Sequence, residues 1–347
     1  MTSSQHQHPE HPLGAIILAA GKGTRMDSNI AKVLHKIAGK PMLHYVIRTA
    51  QQLQASKTAV VIGHQADQVQ DYFKAEKNID WVMQNNPKGT GDAVARAKEI
   101  FTDFSGPIVI LYGDIPGIRV ETLRRLWMMH ESGNHALTIL TAELDDPTGY
   151  GRVIVNADGS VSKIVEHRDA TAYEREIYEI NTGIGIYDSK FLWENITQLK
   201  PANKQNELYL TDLVEMARSQ NLRVGRMVLK ESLEIMGIND RSALADVTRF
   251  FFDEKASYFL DNGVHLEDPA SITLESDVKI GQDSTLQGEV IVRGQSQLGE
   301  NTQIASGTCI INSQLGNGVK VANNCSIYQA ELGENVRVGA NTVLGEE

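Results

Sequence analysis

Residues 14–20, GAIILAA, are apolar without a break, and residues 21–26, GKGTRM, turn abruptly polar and glycine-rich. An uninterrupted apolar run of strand length suits a parallel strand buried on both faces, so the boundary reads as a strand end opening into a loop. The pattern then alternates. Helical periodicity over 41–54, with Pro41 in the first turn, precedes an apolar run at 58–63; a helix over 66–76 precedes a strand at 80–84; a helix over 92–100 precedes the strand 107–114. Such alternation predicts an α/β domain with a doubly wound, mainly parallel sheet. Residues 153–155 and 161–165 flank the turn Asn156-Ala157-Asp158-Gly159-Ser160 and read as a hairpin. NELYLTDLVEMA is a further amphipathic helix, and 240–261 a long helix that leaves the domain, with a boundary near Asn262 and Gly263.

Beyond residue 277 the period changes. Ile280, Leu286, Val292, Leu298, Ile304 and Ile310 recur every six residues; after a five-residue step come Leu315, Val321 and Ile327, and after another Leu332, Val338 and Leu344. Two places before each stands a small or compact residue, from Val278 and Ser284 through Cys325 to Thr342. Period-two geometry turns both members of each pair inward, and a hexad repeat predicts a parallel β-helix of the left-handed kind, three hexads per coil and about four coils. The expected organisation is a tail at 1–12, an α/β domain at 13–262 that includes the linker helix, and a β-helix at 263–347.

A formal charge of −11 over 347 residues disfavours nucleic acid or an anionic membrane as the main partner, since a phosphate backbone demands a basic face. Two cysteines, Cys309 and Cys325, make neither a metal spacing nor a disulfide framework, which fits a reducing cytoplasm. No apolar run reaches the length of a membrane span. The tail has no apolar signal core and reads as disordered, a context in which His6, His8 and His11 are not expected to hold a metal ion.

Phosphate handling must then be local, and the first loop supplies it. Gly21 and Gly23 allow backbone N–H groups to converge on phosphate oxygens, while Lys22, Arg25 and Lys32 bring positive charge. A dinucleotide-binding fingerprint fails because position 26 is Met26 and the second strand ends without an acidic residue; a Walker A loop fails for want of its Gly-Lys-Ser/Thr. In a doubly wound sheet, ligands sit outside the carboxyl ends of the strands, which makes Gln84 and Asp114 further candidates. A carboxamide such as Gln84 can meet both a donor and an acceptor on a base edge, and Gly89 lets backbone approach it. A carboxylate such as Asp114 is a hard oxygen donor suited to Mg2+.

LAAGKGTRM followed by AKVLHKIAGKPML resembles the signature of sugar-1-phosphate nucleotidylyltransferases, and most closely the uridylyltransferase half of bacterial bifunctional N-acetylglucosamine-1-phosphate uridylyltransferases; Ala31 stands where that family has Pro before Lys32. QNNPKGTGDAV, YGD, DPTGYGR, IVEHRDAT, EINTGIGIY and LEIMGIND extend the resemblance. It implies a Rossmann-like nucleotide-diphospho-sugar transferase domain. The nucleotide would lie against Leu18, Ala19, Ala20, Gly21, Gly23, Gln84, Gly89 and Thr90. N-acetylglucosamine would lie against Tyr112, Gly113, Gly151, Glu166, Asn181 and Thr182. Arg25, Lys32 and Asp114 would be catalytic, with Mg2+ on Asp114 and Asn239. The implied reaction is UTP plus N-acetyl-α-D-glucosamine 1-phosphate to UDP-N-acetylglucosamine and pyrophosphate. The alternatives are glucose 1-phosphate or dTTP as substrate, or a silent sugar-nucleotide sensor. The family's β-helix assembles as a homotrimer, and its acetyltransferase segment lies beyond the point where this chain reads Gly345-Glu346-Glu347, so no acyl transfer is expected.

Overall fold

The GAIIL segment forms β1 (Gly14–Leu18), buried at every position, at the centre of a nine-stranded sheet. The computed structural model describes residues 11–230 and 232–346, so His6 and His8 lie outside the described residues, as does all but the end of the expected tail. His11 Nδ1 is 3.6 Å from Glu131 Oε1.

A two-stranded hairpin, β2 (Lys36–Ile37) with β3 (Lys40–Pro41), follows the first loop, then α1 (Met42–Gln52), β4 (Lys57–Ile62), α2 (Ala66–Tyr72), β5 (Asp80–Met83), α3 (Thr90–Arg96), β6 (Pro107–Tyr112), α4 (Val120–Ser132) and β7 (Leu137–Glu143). After these come β8 (Gly151–Val155), β9 (Val161–Val165), α5 (Ala172–Arg175), β10 (Glu179–Asp188), α6 (Ser189–Asn195), α7 (Asp212–Ser219), β11 (Val224–Leu229) and α8 (Arg241–Asp261). Pro41 is paired with Lys36 in the hairpin and is not the first turn of α1, which starts one residue later. The helix expected over 92–100 is a short α-helix and then a separate 3-10 turn at Lys98–Phe101.

Strands lie in the order β11-β7-β10-β6-β1-β4-β5, with β8 and β9 off the end of β10. The chain therefore runs outward from β1 through β4 to β5 and returns to β6 on the other side of β1, which makes β1 the switch point of the topology. Pairings of β1, β4, β5 and β6 are parallel, whereas β10 runs antiparallel to both β6 and β7. Apolar residues of β1, β4, β6, α3, α6 and α7 share one core.

His130, in the last turn of α4, is 5% exposed, with its Nδ1 3.0 Å from Thr138 Oγ1. Burial first, then the neighbouring His135, press its pKa down to about 4. A depressed folded value means that neutral His130 contributes stability that is whole above pH ~6.5 and is lost as pH falls through about 4, at most about 3 kcal/mol. We expect His130→Gln to flatten the dependence of unfolding free energy on pH over that window in denaturant titrations. An unchanged slope would show that the ring titrates as it does in the unfolded chain.

The second compact unit comprises Lys36–Pro41 and Ser242–Glu347. Its short strands stack into three parallel sheets, each strand pairing with the third one along, so that one coil is three strands, the arrangement of a left-handed β-helix. The inward positions Ser284, Ser296, Thr302, Thr308, Ser313 and Cys325 are fully buried. Their polar atoms are matched inside the coil: Ser284 Oγ donates to Gly299 O (2.9 Å) and Thr302 Oγ1 to Ser284 Oγ (2.9 Å). Corners are turned by residues in the left-handed region, among them Asn301, Asn312, Asn324, Asn335 and Asn341, which tolerate it better than most side chains. Neither Cys309, half-buried, nor Cys325, buried, is in a disulfide.

The coil starts earlier than its six-residue spacing suggests. His265–Leu266 and Thr273–Leu274 already pair with later strands, but the step from Leu266 to Leu274 is eight positions and breaks the period. The helix α8 belongs with the coil, because Ala256 and Phe259 share its core with Leu266, Leu274 and Val292. The boundary expected near Asn262 thus marks the end of that helix, and the division between the units falls at Arg241/Ser242.

Candidate active site

Segments that follow β1, β5 and β6 emerge at one edge of the sheet, since those strands run the same way. Ala19 N–H donates to Val61 O (2.8 Å) and Gly113 N–H to Leu18 O (2.9 Å), which extends the ladder past the strand ends and fixes where the loop begins. Gly63 is closely packed at this edge: a Cβ there would lie 3.0 Å from Gln84 O and 3.1 Å from the Ala20 Cβ, so its neighbours would have to give by a few tenths of an ångström. In the loop, Gly23 has φ 59°, and a Cβ on it would meet the Lys32 Cβ at 2.6 Å. Glycine is what allows the loop to lie on the stem of Lys32. Gly21, Lys22 and Arg25 are exposed.

Lys32 points inward with a side chain only 9% exposed. Its Nζ is 2.6 Å from Asp114 Oδ2 and 2.9 Å from Asn239 Oδ1. Asn239 is brought there by backbone, as Ile238 N–H donates to Asp114 O (2.9 Å). Three residues that the sequence keeps far apart therefore meet at one point. The oxygens expected to hold a metal are those that hold this ammonium, and Lys32 is aimed at them rather than into the glycine loop.

That arrangement tests whether the pair suits a divalent ion. One carboxylate and one carboxamide oxygen, both hard donors, converge on a positive charge, as a Mg2+ site with few protein ligands requires. Among the described residues, no three His, Cys, Asp or Glu side chains converge in the way a protein-only metal cage needs. The donors fit an ion that takes its remaining ligands from phosphate and water.

Gln84 follows β5 and is 4% exposed. Its backbone N–H donates to Ile62 O (2.8 Å), while its side-chain Nε2 donates to Asp92 Oδ2 (2.7 Å) and, more weakly, to Gly89 O (3.3 Å). The carboxamide expected to offer both a donor and an acceptor to a base thus has its donor end engaged within the protein. Gly89 (φ 106°) runs against residues 207–208, where a Cβ would be 2.6 Å from Leu208 O. Leu208 N–H donates to Lys88 O (2.6 Å), Gly91 N–H to Leu208 O (2.8 Å) and Leu210 N–H to Thr90 Oγ1 (3.1 Å). The NELYL segment is the clamp that holds the Gly89-Thr90 turn.

The residues expected around a sugar gather beside β10. Gly151 and Asn181 are cross-strand partners, and a Cβ on Gly151 would lie 3.4 Å from both Glu166 carboxylate oxygens. Thr211 Oγ1 donates to Glu166 Oε1 (3.1 Å). Burial raises the Glu166 pKa, with Asp212, Asp169 and Glu207 adding to the rise against the Thr211 bond. Asp212 is itself pushed up to about 6 by burial and by Glu215 and Asp169. Tyr112 has its phenol pKa raised by burial first and then by Tyr187, Glu166 and Asp114, while a hydrogen bond to Thr90 opposes the rise, so its hydroxyl stays protonated. Thr182 differs from its neighbours: its hydroxyl donates to Leu140 O (2.8 Å) and accepts from Ile184 N–H (3.1 Å), and so supports the bulge between Asn181 and Gly185.

Asp92, Thr211 and Gly63 were not singled out from the sequence. Asp92 closes the run Thr90-Gly91-Asp92 in the first turn of α3, where a carboxylate reads as a helix-start residue. Only the fold aims it at Gln84. A cavity of about 830 Å3 opens elsewhere on this unit, lined by Pro107, His130, Glu131, Asp188 and Lys190 among others, and none of the expected site residues lines it.

Residues 15–187 match the model of the MobA-like NTP transferase domain. The chain carries a nucleotidyltransferase domain. The match runs from the second residue of β1 to the last but one of β10, and so takes in the glycine loop, Gln84, Asp114 and the Gly151–Asn181 pair. Proteins of this kind generally use a divalent metal ion. The chain is also 42% identical over 301 residues to the bifunctional protein GlmU of Geobacter sulfurreducens, which is 87% of this chain and 63% of that protein. It is 40% identical over 294 residues to the bifunctional protein GlmU of Streptococcus suis, 85% of this chain and 64% of that one. With the bifunctional protein GlmU of Anaeromyxobacter dehalogenans it shares 40% identity over 302 residues, 86% of this chain and 62% of the relative. The nucleotidyltransferase and its β-helix are thus homologous to the GlmU proteins and span a little under two thirds of their length. No helix among the described residues is long and apolar enough to cross a membrane.

Proposed function

We propose that the protein transfers the uridylyl group of UTP to N-acetyl-α-D-glucosamine 1-phosphate. The observation that carries this reading is the meeting of Lys32, Asp114 and Asn239 at the edge of the sheet, with the glycine loop lying on the stem of Lys32. A phosphate oxygen of the sugar phosphate attacks the α-phosphorus of UTP in line. The new phosphorus–oxygen bond forms as the bond to the bridging oxygen breaks, and that oxygen leaves with its electron pair in pyrophosphate. Backbone N–H groups of the Gly21–Gly23 turn and the Arg25 guanidinium hold the triphosphate and the departing pyrophosphate. Lys32 offsets the charge of the two phosphates that must approach one another. Mg2+ on Asp114 and Asn239 would supply further charge neutralisation at those oxygens.

On the sugar side, Glu166 accepts from sugar hydroxyls or the acetamido N–H, Asn181 both donates and accepts, and Gly151 leaves room for the ring. The raised pKa of Glu166 follows first from its burial and then from the carboxylates around it, and an N–H or O–H donor from the sugar would draw it back toward the ordinary carboxylate range. Self-association of the β-helix into a trimer belongs to the same reading, and a monomeric mass in sedimentation would remove it. Pyrophosphate release from a panel of nucleoside triphosphates and sugar 1-phosphates tests the substrates. Highest turnover is expected with UTP and N-acetylglucosamine 1-phosphate; a preference for dTTP with glucose 1-phosphate, or binding of the sugar nucleotide without turnover, would overturn the assignment.

A further inference from the structure

We propose that Asp92 decides which pyrimidine the nucleotide pocket accepts, by holding the Gln84 carboxamide with its oxygen facing the base. This rests on the reading of Gln84 as the base contact. An ionised carboxylate only accepts hydrogen bonds, so the Gln84 atom 2.7 Å from Asp92 Oδ2 must be the NH2 nitrogen. The second acceptor near that nitrogen, Gly89 O at 3.3 Å, takes its other hydrogen. A turned amide would set its oxygen against a carboxylate and a carbonyl at once. Gln84 is 4% exposed, so water cannot relieve that repulsion.

Asp92 is itself held. Its Oδ1 lies 3.4 Å from Arg96 Nη2, and its Oδ2 accepts from Lys88 N–H (3.4 Å) and from Arg96 Nε (3.5 Å), with the side chain 13% exposed. The Gln84 backbone is pinned to Ile62 O. What remains to a ligand is the carboxamide oxygen, which has no donor among the described residues. A base placed against it must bring an N–H. Uracil and thymine carry one at N3, whereas cytosine has an acceptor lone pair there and would face oxygen with nitrogen. Asp92 is thus a positioning residue: it discriminates without touching the nucleotide.

The test is the preference of the full-length protein for UTP over CTP, measured both as kcat/KM for pyrophosphate release and as binding by calorimetry. In Asp92→Asn the new side-chain NH2 removes the demand for a donor and lets the Gln84 amide turn. The UTP-to-CTP ratio is expected to fall by at least about tenfold, by loss of UTP and gain of CTP. Asp92→Glu, which keeps the carboxylate, is expected to retain most of the preference, and Asp92→Ser gives a second measure of the ratio without an added amide. Equal losses for both triphosphates, or an unchanged ratio in Asn and Ser variants that keep the wild-type melting transition, would overturn the proposal. If the wild-type protein binds UTP but releases no pyrophosphate, the uridylyltransferase reading fails while the binding ratio still decides the role of Asp92.

Discussion

Asp114→Ala is expected to lower pyrophosphate release by at least about a thousandfold. Three losses coincide at this carboxylate. The carboxylate proposed to hold a divalent ion goes; Lys32, 9% exposed, loses the anion 2.6 Å from its Nζ; and Asn239 is left alone beside that ammonium. An uncompensated charge so little exposed also costs folding free energy, so the experiment is run beside Asp114→Asn, which keeps an acceptor for Lys32 but gives up the charge. Turnover should collapse in both variants, while only the alanine variant should melt at clearly lower temperature. Near-normal turnover in either, in a folded protein, would remove Asp114 from the chemistry.

Lys32→Met is expected to lower kcat by about a hundredfold and, unlike Asp114→Ala, to strengthen the binding of a divalent ion. The thioether side chain keeps the apolar stem beneath Gly23, so the loop retains its support. What it removes is the ammonium between Asp114 and Asn239, and with it the charge that competes for the same two oxygens. Manganese binding followed by paramagnetic resonance, in the absence of nucleotide, reads the second effect independently of turnover. If only KM rises, Lys32 binds substrate without acting on the transferred phosphate; if manganese binds more weakly, the ammonium and the ion do not share a position.

The parts of this molecule that a periodic pattern dictates are legible in the amino-acid sequence. The apolar run at 14–20 gave the central strand, and the six-residue recurrence from Ile280 gave the coil, because in both cases burial alone selects the residues. Where backbone geometry outweighs burial, the pattern falls silent. The two strands at His265–Leu266 and Thr273–Leu274 belong to the coil but are spaced by a longer corner, and the reversed direction of β10 leaves no mark in an apolar run. Site chemistry was less legible still. Asp114 could be suspected from its place after β6, yet Asn239 lies 125 residues on and only the resemblance linked the two. Gln84 was visible as a candidate, but the engagement of its NH2 group by Asp92 depends on a turn whose shape is set by residues 207–210.

The tether from Ile238 N–H to Asp114 O has a bearing on how the molecule is made. A ribosome that has released everything up to β11 has already delivered every strand of the large sheet, the glycine loop and Asp114, yet not the carboxamide that completes the charged cluster. Until residue 239 clears the exit tunnel, Lys32 has a single anchor, so the centre is the last part of its domain to be finished during synthesis.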